Sequence, residues 1–310
     1  MGNEFDVANV VKTTDAVSVR KEVERICMEL YPKARMGPLV LAFRDVAALY
    51  RGEFHGIYAC DTPYHDIQHA LDVTLAMARL MDGYERSRWS GEPLGEKNFI
   101  LGIVTALFHD AGYLRRVGDQ PATVSGAKYT RVHIARGAEF LRSYLRGIGM
   151  AAMAEIAAEL LHFTGHEKPL SWLRLPSPQY RLLGEMLGSA DIIAPMADRC
   201  YLEKCHDRLY AELVLAGLLR TSAQDGAPGE LEPADAFSLR IQEGYIRAAR
   251  RLHHELRRCY KYAALHFRGE NIYIDRLTRN LRYAQAMATD ADLRLRRRPP
   301  VTLLPGARAN

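Results

Sequence analysis

Apolar residues recur at steps of three and four along nearly the whole chain, and this period constrains the fold more than any other feature. In residues 17–31 the apolar positions are Val19, Val23, Ile26, Cys27 and Leu30. That spacing lines one face of a helix. Residues 39–50, 66–82, 98–113, 132–147, 150–163, 180–194, 198–219, 235–267 and 271–287 have the same pattern. The alternation of a half-buried strand is missing, apart from the brief Ile272-Tyr273-Ile274. Breakers fall between the segments, at Gly52 to Pro63, Ser87 to Gly95, Gly118 to Gly126, Pro169 to Pro178 and Thr221 to Pro233. The last of these is the expected long mobile loop. The pattern predicts an all-α, single multi-helix domain. Its expected parts are helices in residues 1–50 packed on a main body at 51–290, and a basic, disordered tail at 291–310.

Composition narrows the class. With 310 residues and 48% hydrophobic content the chain can bury a large core, and a net charge of +5 is modest. Much of the excess lies in Arg294 to Arg298, a run without interleaved aromatics, so a solvated tail is expected and nucleic acid is not an expected partner. The five cysteines are scattered, with no disulfide or zinc-finger spacing, which fits a reducing compartment. There is no signal-like segment, and the longest apolar run, Phe99 to Phe108, is too short to span a bilayer. A cytoplasmic protein with no membrane partner is expected. The helices beyond residue 235 offer a possible homodimer face.

The chemistry concentrates in three places. Tyr64-His65-Asp66-Ile67-Gln68-His69 sets His65 and His69 four residues apart, which predicts that both project from one helix face. His109-Asp110 ends an almost wholly apolar segment, where burial is costly unless both groups bond something. Asp191 is flanked by Ile192 and Ile193 and calls for a cation or several donors. Imidazole and carboxylate are ligands for zinc, manganese or iron, and such sites can leave positions open for water. Surface histidines, an exposed helix end and a helix-terminal Asp before Pro195 are the bland alternatives.

Taken together, these residues resemble a known family. Tyr64 to Val73 is similar to the Tyr-His-Asn-x-x-His-Ala-x-Asp-Val signature of class I cyclic nucleotide phosphodiesterases, members of the HD-domain phosphohydrolase superfamily. Ala106 to Asp110 resembles that family's second histidine motif, and Ala190 to Pro195 its Ala-Asp-Leu-Ser-Asn-Pro motif. Ile241 to Ile246 resembles its purine-holding Ser-Gln-x-Gly-Phe-Ile segment, so the likeness covers roughly residues 50–270.

The resemblance implies metal-dependent hydrolysis of cAMP or cGMP to the 5′-monophosphate. It implies His69, His109, Asp110 and Asp191 as ligands of a first metal, commonly zinc. Asp110 would also reach a second, commonly magnesium or manganese. His65 would be the general acid, Gln242 would hydrogen-bond the base, Tyr245 would stack on it, and Tyr64 would help to bind substrate. Glu139 would assist the water network.

The chain also departs from the family pattern. Tyr113 stands where the family has a histidine, Asp66 where it has asparagine, and Ile193-Ala194 where it has Ser-Asn. His133 and His162 resemble second-metal ligands of other HD-domain enzymes. Two alternatives follow: another HD-type nucleotide phosphohydrolase, or a degenerate domain that binds a nucleotide without turnover.

Overall fold

The structure, a computed structural model, describes residues 3–87, 91–119, 125–219, 234–290, 293–295 and 297–300 (for 234 and 235, the backbone alone). The loop expected at 221–233 lies outside the described residues. Among those described there are twelve α-helices and no strand, so the all-α expectation holds. Only two isolated β-bridges occur among them, Phe5 with Lys12 and Ile57 with Arg116. The brief Ile272-Tyr273-Ile274 opens a helix.

Helix α1 (Ala16–Leu30) starts where the Asp15 carboxylate accepts the Val17 and Ser18 amides. It packs against α3 (Ile67–Arg86), while α2 (Gly37–Tyr50) packs against α4 (Gly95–Leu107). From Phe99 to Leu107, every residue of α4 is buried. Such an all-round apolar helix belongs at the centre of a fold. α5 (His133–Gly147) and α6 (Ala154–Leu161) lie against each other, and α7 (Pro178–Ala197) crosses α3, α4 and α6. Then come α8 (Tyr201–Lys204) and α9 (Tyr210–Leu215), joined by a wider π turn at Cys205–Leu209. α10 (Ala234–Arg250), α11 (Tyr262–His266) and α12 (Ile272–Met287) complete the body. One apolar cluster runs from Val7 to Met287.

Two features differ from expectation. The segment expected to be helical to residue 113 leaves the α-helix after Leu107, and a short 3₁₀ turn covers Ala111–Tyr113. The described part of the basic tail lies back on the body. The Arg297 amide donates to Glu203 at 3.0 Å, Tyr283 Oη to the Arg294 carbonyl at 2.7 Å, and Asn3 Nδ2 to the Arg298 carbonyl at 2.8 Å. Arginine density predicts solvation, but a carboxylate, a hydroxyl and an amide from other elements hold this stretch in place.

Candidate metal centre

Helix α3 begins at Ile67, later than the repeat of histidines suggests. The Asp66 side chain caps it by accepting the His69 amide at 3.0 Å. His65 therefore lies just before the helix, and the two histidines do not share a helix face. Their rings still meet, at 5.4 Å between centroids and 88° between planes. The departure at Asp66 thus acquires a local function: it caps the helix that carries His69, and Arg208 Nη1 lies 3.3 Å from its other oxygen.

Four side chains from three helical regions converge. His69 comes from the first turn of α3, His109 and Asp110 from the turn that ends α4, and Asp191 from α7. His69 Nε2 lies 3.3 Å from Asp110 Oδ2, 3.3 Å from Asp191 Oδ1 and 3.3 Å from His109 Nε2. His109 Nε2 lies 3.1 Å from Asp110 Oδ2 and 3.3 Å from Asp191 Oδ1. Metal–ligand bonds of about 2.0–2.1 Å at tetrahedral angles set donor atoms about 3.3 Å apart, the edge length seen here. Asp110 Oδ2 is buried and forms no hydrogen bond, although two imidazoles face it. An orphaned carboxylate oxygen in such a place calls for a cation. The donor set fits a divalent ion, and these four residues would hold it.

The ring orientations support this. His109 Nδ1 lies 2.8 Å from the Ala106 carbonyl, which places the proton on Nδ1 and turns the Nε2 lone pair toward the cluster. Protons on the two rings, or a cation in their place, balance the two carboxylates. Burial works against the imidazolium forms, yet the facing carboxylates hold His69 up to about 9 and His109 well above its ordinary range. Burial likewise opposes the charge on Asp110 and Asp191, and His109 and His69, joined by His65 for Asp110, nevertheless keep both below the usual carboxylate range.

His65 stands beside the cluster. Its donor atom and those of His69 and Asp110 lie within 4.8 Å of one another. Its Nδ1 is bound by Glu212 Oε1, while Glu212 Oε2 accepts the Tyr64 amide at 2.9 Å and the His65 amide at 3.3 Å. Burial disfavours the His65 imidazolium, but the Glu212 and Asp110 carboxylates outweigh it and raise the ring above its ordinary value. Glu212 is absent from the expectations drawn from sequence. The signal was there: it is the single charge in Tyr210 to Gly217, and it sits buried just past the π turn. Tyr64 packs on both histidine rings, at 5.0 Å from His65 and 5.8 Å from His69.

The other expected residues are placed differently. Tyr113 is buried, and its ring is sandwiched between those of His65 and His133, each 4.4 Å away. His133 Nδ1 lies 2.7 Å from the Thr130 carbonyl, and His162 Nδ1 is bound to Glu167. Among the described residues, ligand groups of three or more gather only His65, His69, His109, Asp110 and Asp191, so His133 and His162 stand outside them. The Glu139 side chain is 71% exposed and pairs with Arg116 at 2.6 Å, turned to the surface. Gln242 donates to Ser238 Oγ at 3.2 Å. Tyr245 lines a separate small cavity with Met196, Leu252 and Leu277.

No protein-family model matches the chain, and no curated protein is significantly similar to it. Among the described residues, no helix is long and apolar enough to cross a membrane.

Proposed function

We propose that this chain is a metal-dependent phosphodiesterase that opens 3′,5′-cyclic nucleotides to 5′-monophosphates. One observation carries the reading: His69, His109, Asp110 and Asp191 converge beside His65, whose far nitrogen is tied to a buried carboxylate. A divalent ion bound there supplies Lewis acidity toward a phosphate oxygen and lowers the pKa of water.

The chain's own groups supply the rest. Glu212 holds the His65 ring by Nδ1, which leaves Nε2 as the atom that gives a proton to the departing 3′ oxygen. The Glu212 and Asp110 carboxylates favour the protonated ring against its burial and so help to hold that proton. Tyr64 and Tyr113 clamp the ring against rotation. The cyclic nucleotide assignment rests on the motif resemblance, with Gln242 and Tyr245 as the base-holding pair. Zinc at the first site with magnesium or manganese at a second remains part of that proposal, with Asp110 as the shared ligand.

A second reading, hydrolysis of another nucleotide phosphate ester, has its own support. Gln242 donates to Ser238, and Tyr245 lines a cavity whose lining includes none of the four donors. The test is 5′-nucleotide release from cAMP and cGMP by purified protein with Mg²⁺ or Mn²⁺, with Asp110→Ala as control. Release that is metal-dependent and lost in the variant supports the first reading. Metal-loaded protein that leaves both substrates intact but cleaves other nucleotide phosphates moves the assignment to the second.

A further inference from the structure

A large cavity lies at the other end of α3 from the donor set. It measures about 650 Å³ and is lined by Tyr84, Leu182, Glu185, Arg257 and Tyr262, among others. Tyr84 follows His69 by fifteen residues of one helix, so the cavity is about 22 Å from the metal ligands at 1.5 Å per residue. A volume of this size is typical of small-molecule sites, which range over about 300–1,000 Å³.

Its chemistry is specific. Glu185 projects from α7 with a side chain only 2% exposed, and its Oε1 forms no hydrogen bond. Two guanidinium groups approach that oxygen without bonding it, Arg257 Nε at 3.3 Å and Arg181 Nη1 at 3.8 Å. Burial pushes the Glu185 carboxyl up despite both arginines, so the carboxylate is under-compensated. Beside it the Tyr84 and Tyr262 rings meet at 5.2 Å and 89°, forming two perpendicular walls. At the rim, Glu92 accepts from Gln179 Nε2 and adds a second carboxylate. Aromatic faces around a buried carboxylate attract a cation rather than an anion or a neutral ring.

Arg257 occupies the position that such a cation would take. Its side chain is 71% exposed, and its backbone is left-handed at φ 48, followed by Arg258 at φ 58. Two consecutive non-glycine residues in that region are strained, a feature that clusters at ligand clamps.

We propose that this cavity binds a small organic cation, an ammonium or guanidinium head group, whose charge displaces Arg257 from Glu185 and rests against Tyr84 and Tyr262. The proposal is independent of the phosphodiesterase reading.

Titration calorimetry of the full chain with choline, agmatine and spermidine tests it, with adenosine as a neutral planar control. At least one cation is expected to bind saturably. Glu185→Gln should abolish that binding in protein that still melts cooperatively. Arg257→Ala, which removes the competing guanidinium, should tighten it. That sign is opposite to a structural role for Arg257. The proposal is overturned if no cation binds to the parent or to Arg257→Ala, if Arg257→Ala weakens binding, if Glu185→Gln leaves it intact, or if adenosine binds in place of the cations.

Discussion

Glu212 grips the His65 ring across 147 residues of sequence and, with its second oxygen, the backbone on which that ring stands. Ring and carboxylate are thus one unit built from two distant segments. A positioned general acid contributes typically about 10²–10⁴-fold, so His65→Ala should cost that range in kcat. Glu212→Gln should lose a smaller part of it, with metal content unchanged. Because Glu212 raises the His65 pKa, the variant's alkaline limb should move to lower pH. Parallel pH–rate profiles with metal analysis check this. A Glu212 variant with parent-like kcat at every pH removes the positioning role.

The donor set should couple metal to stability. With a ligand at a hundredfold excess over its Kd, binding adds about 2.7 kcal/mol to unfolding. Chelation should therefore lower the melting temperature of the parent and leave Asp191→Ala, which has lost a ligand, almost unmoved. Elemental analysis should find less metal in Asp191→Ala than in the parent. Equal metal in both proteins would exclude Asp191 as a ligand.

The N-terminal segment is locked by a buried ion pair. Arg79, only 2% exposed, donates to Asp6 Oδ2 at 2.6 Å, and Asp6 Oδ1 takes the amides of Val10 and Val11 at 2.7 Å. Burial opposes the Asp6 charge, but Arg79 and these amides hold its pKa below 3.8. A depressed carboxylate contributes stability that is complete above its unfolded value and lost as pH falls through the folded one. Asp6→Asn should cost about 3–5 kcal/mol at neutral pH by leaving Arg79 buried and unpaired. The gap between variant and parent should narrow as pH drops below 3.8. Urea melts at two pH values measure it, and a gap independent of pH refutes the linkage.

Two glycines should behave oppositely. A Cβ at Gly112 would lie 1.8 Å from the His133 carbonyl oxygen and 2.7 Å from the Gly137 nitrogen, both backbone atoms that cannot swing aside. Gly112→Ala should destabilise by about 1–3 kcal/mol or more and disturb Asp110, two residues earlier, with loss of metal. Gly147 has nothing within 4 Å of its Cβ position, so Gly147→Ala should be neutral or stabilising by about 0.4–1 kcal/mol. Denaturant midpoints of both variants decide it. Equal stability for the two would show that α5 yields at Gly112.

By itself, the sequence determined the helical class and marked His69, His109, Asp110 and Asp191 as residues in need of partners, which the fold then brings together. A 3.6-residue period is a local property, and buried His-Asp pairs inside apolar runs are conspicuous because their desolvation demands a partner. Tertiary structure decided the rest. It ended α4 before His109, began α3 after His65 and brought Glu212 onto the His65 ring. It also slid Tyr113 between His65 and His133 and turned Glu139 outward to Arg116. The basic tail was unreadable for the same reason: its carboxylate and amide partners, Glu203 and Asn3, lie about ninety and three hundred residues away in sequence, and its hydroxyl partner, Tyr283, is on the neighbouring α12. Spacing along a chain reports which side chains share a helix face. Which faces meet depends on how whole helices pack, and only the folded core sets that.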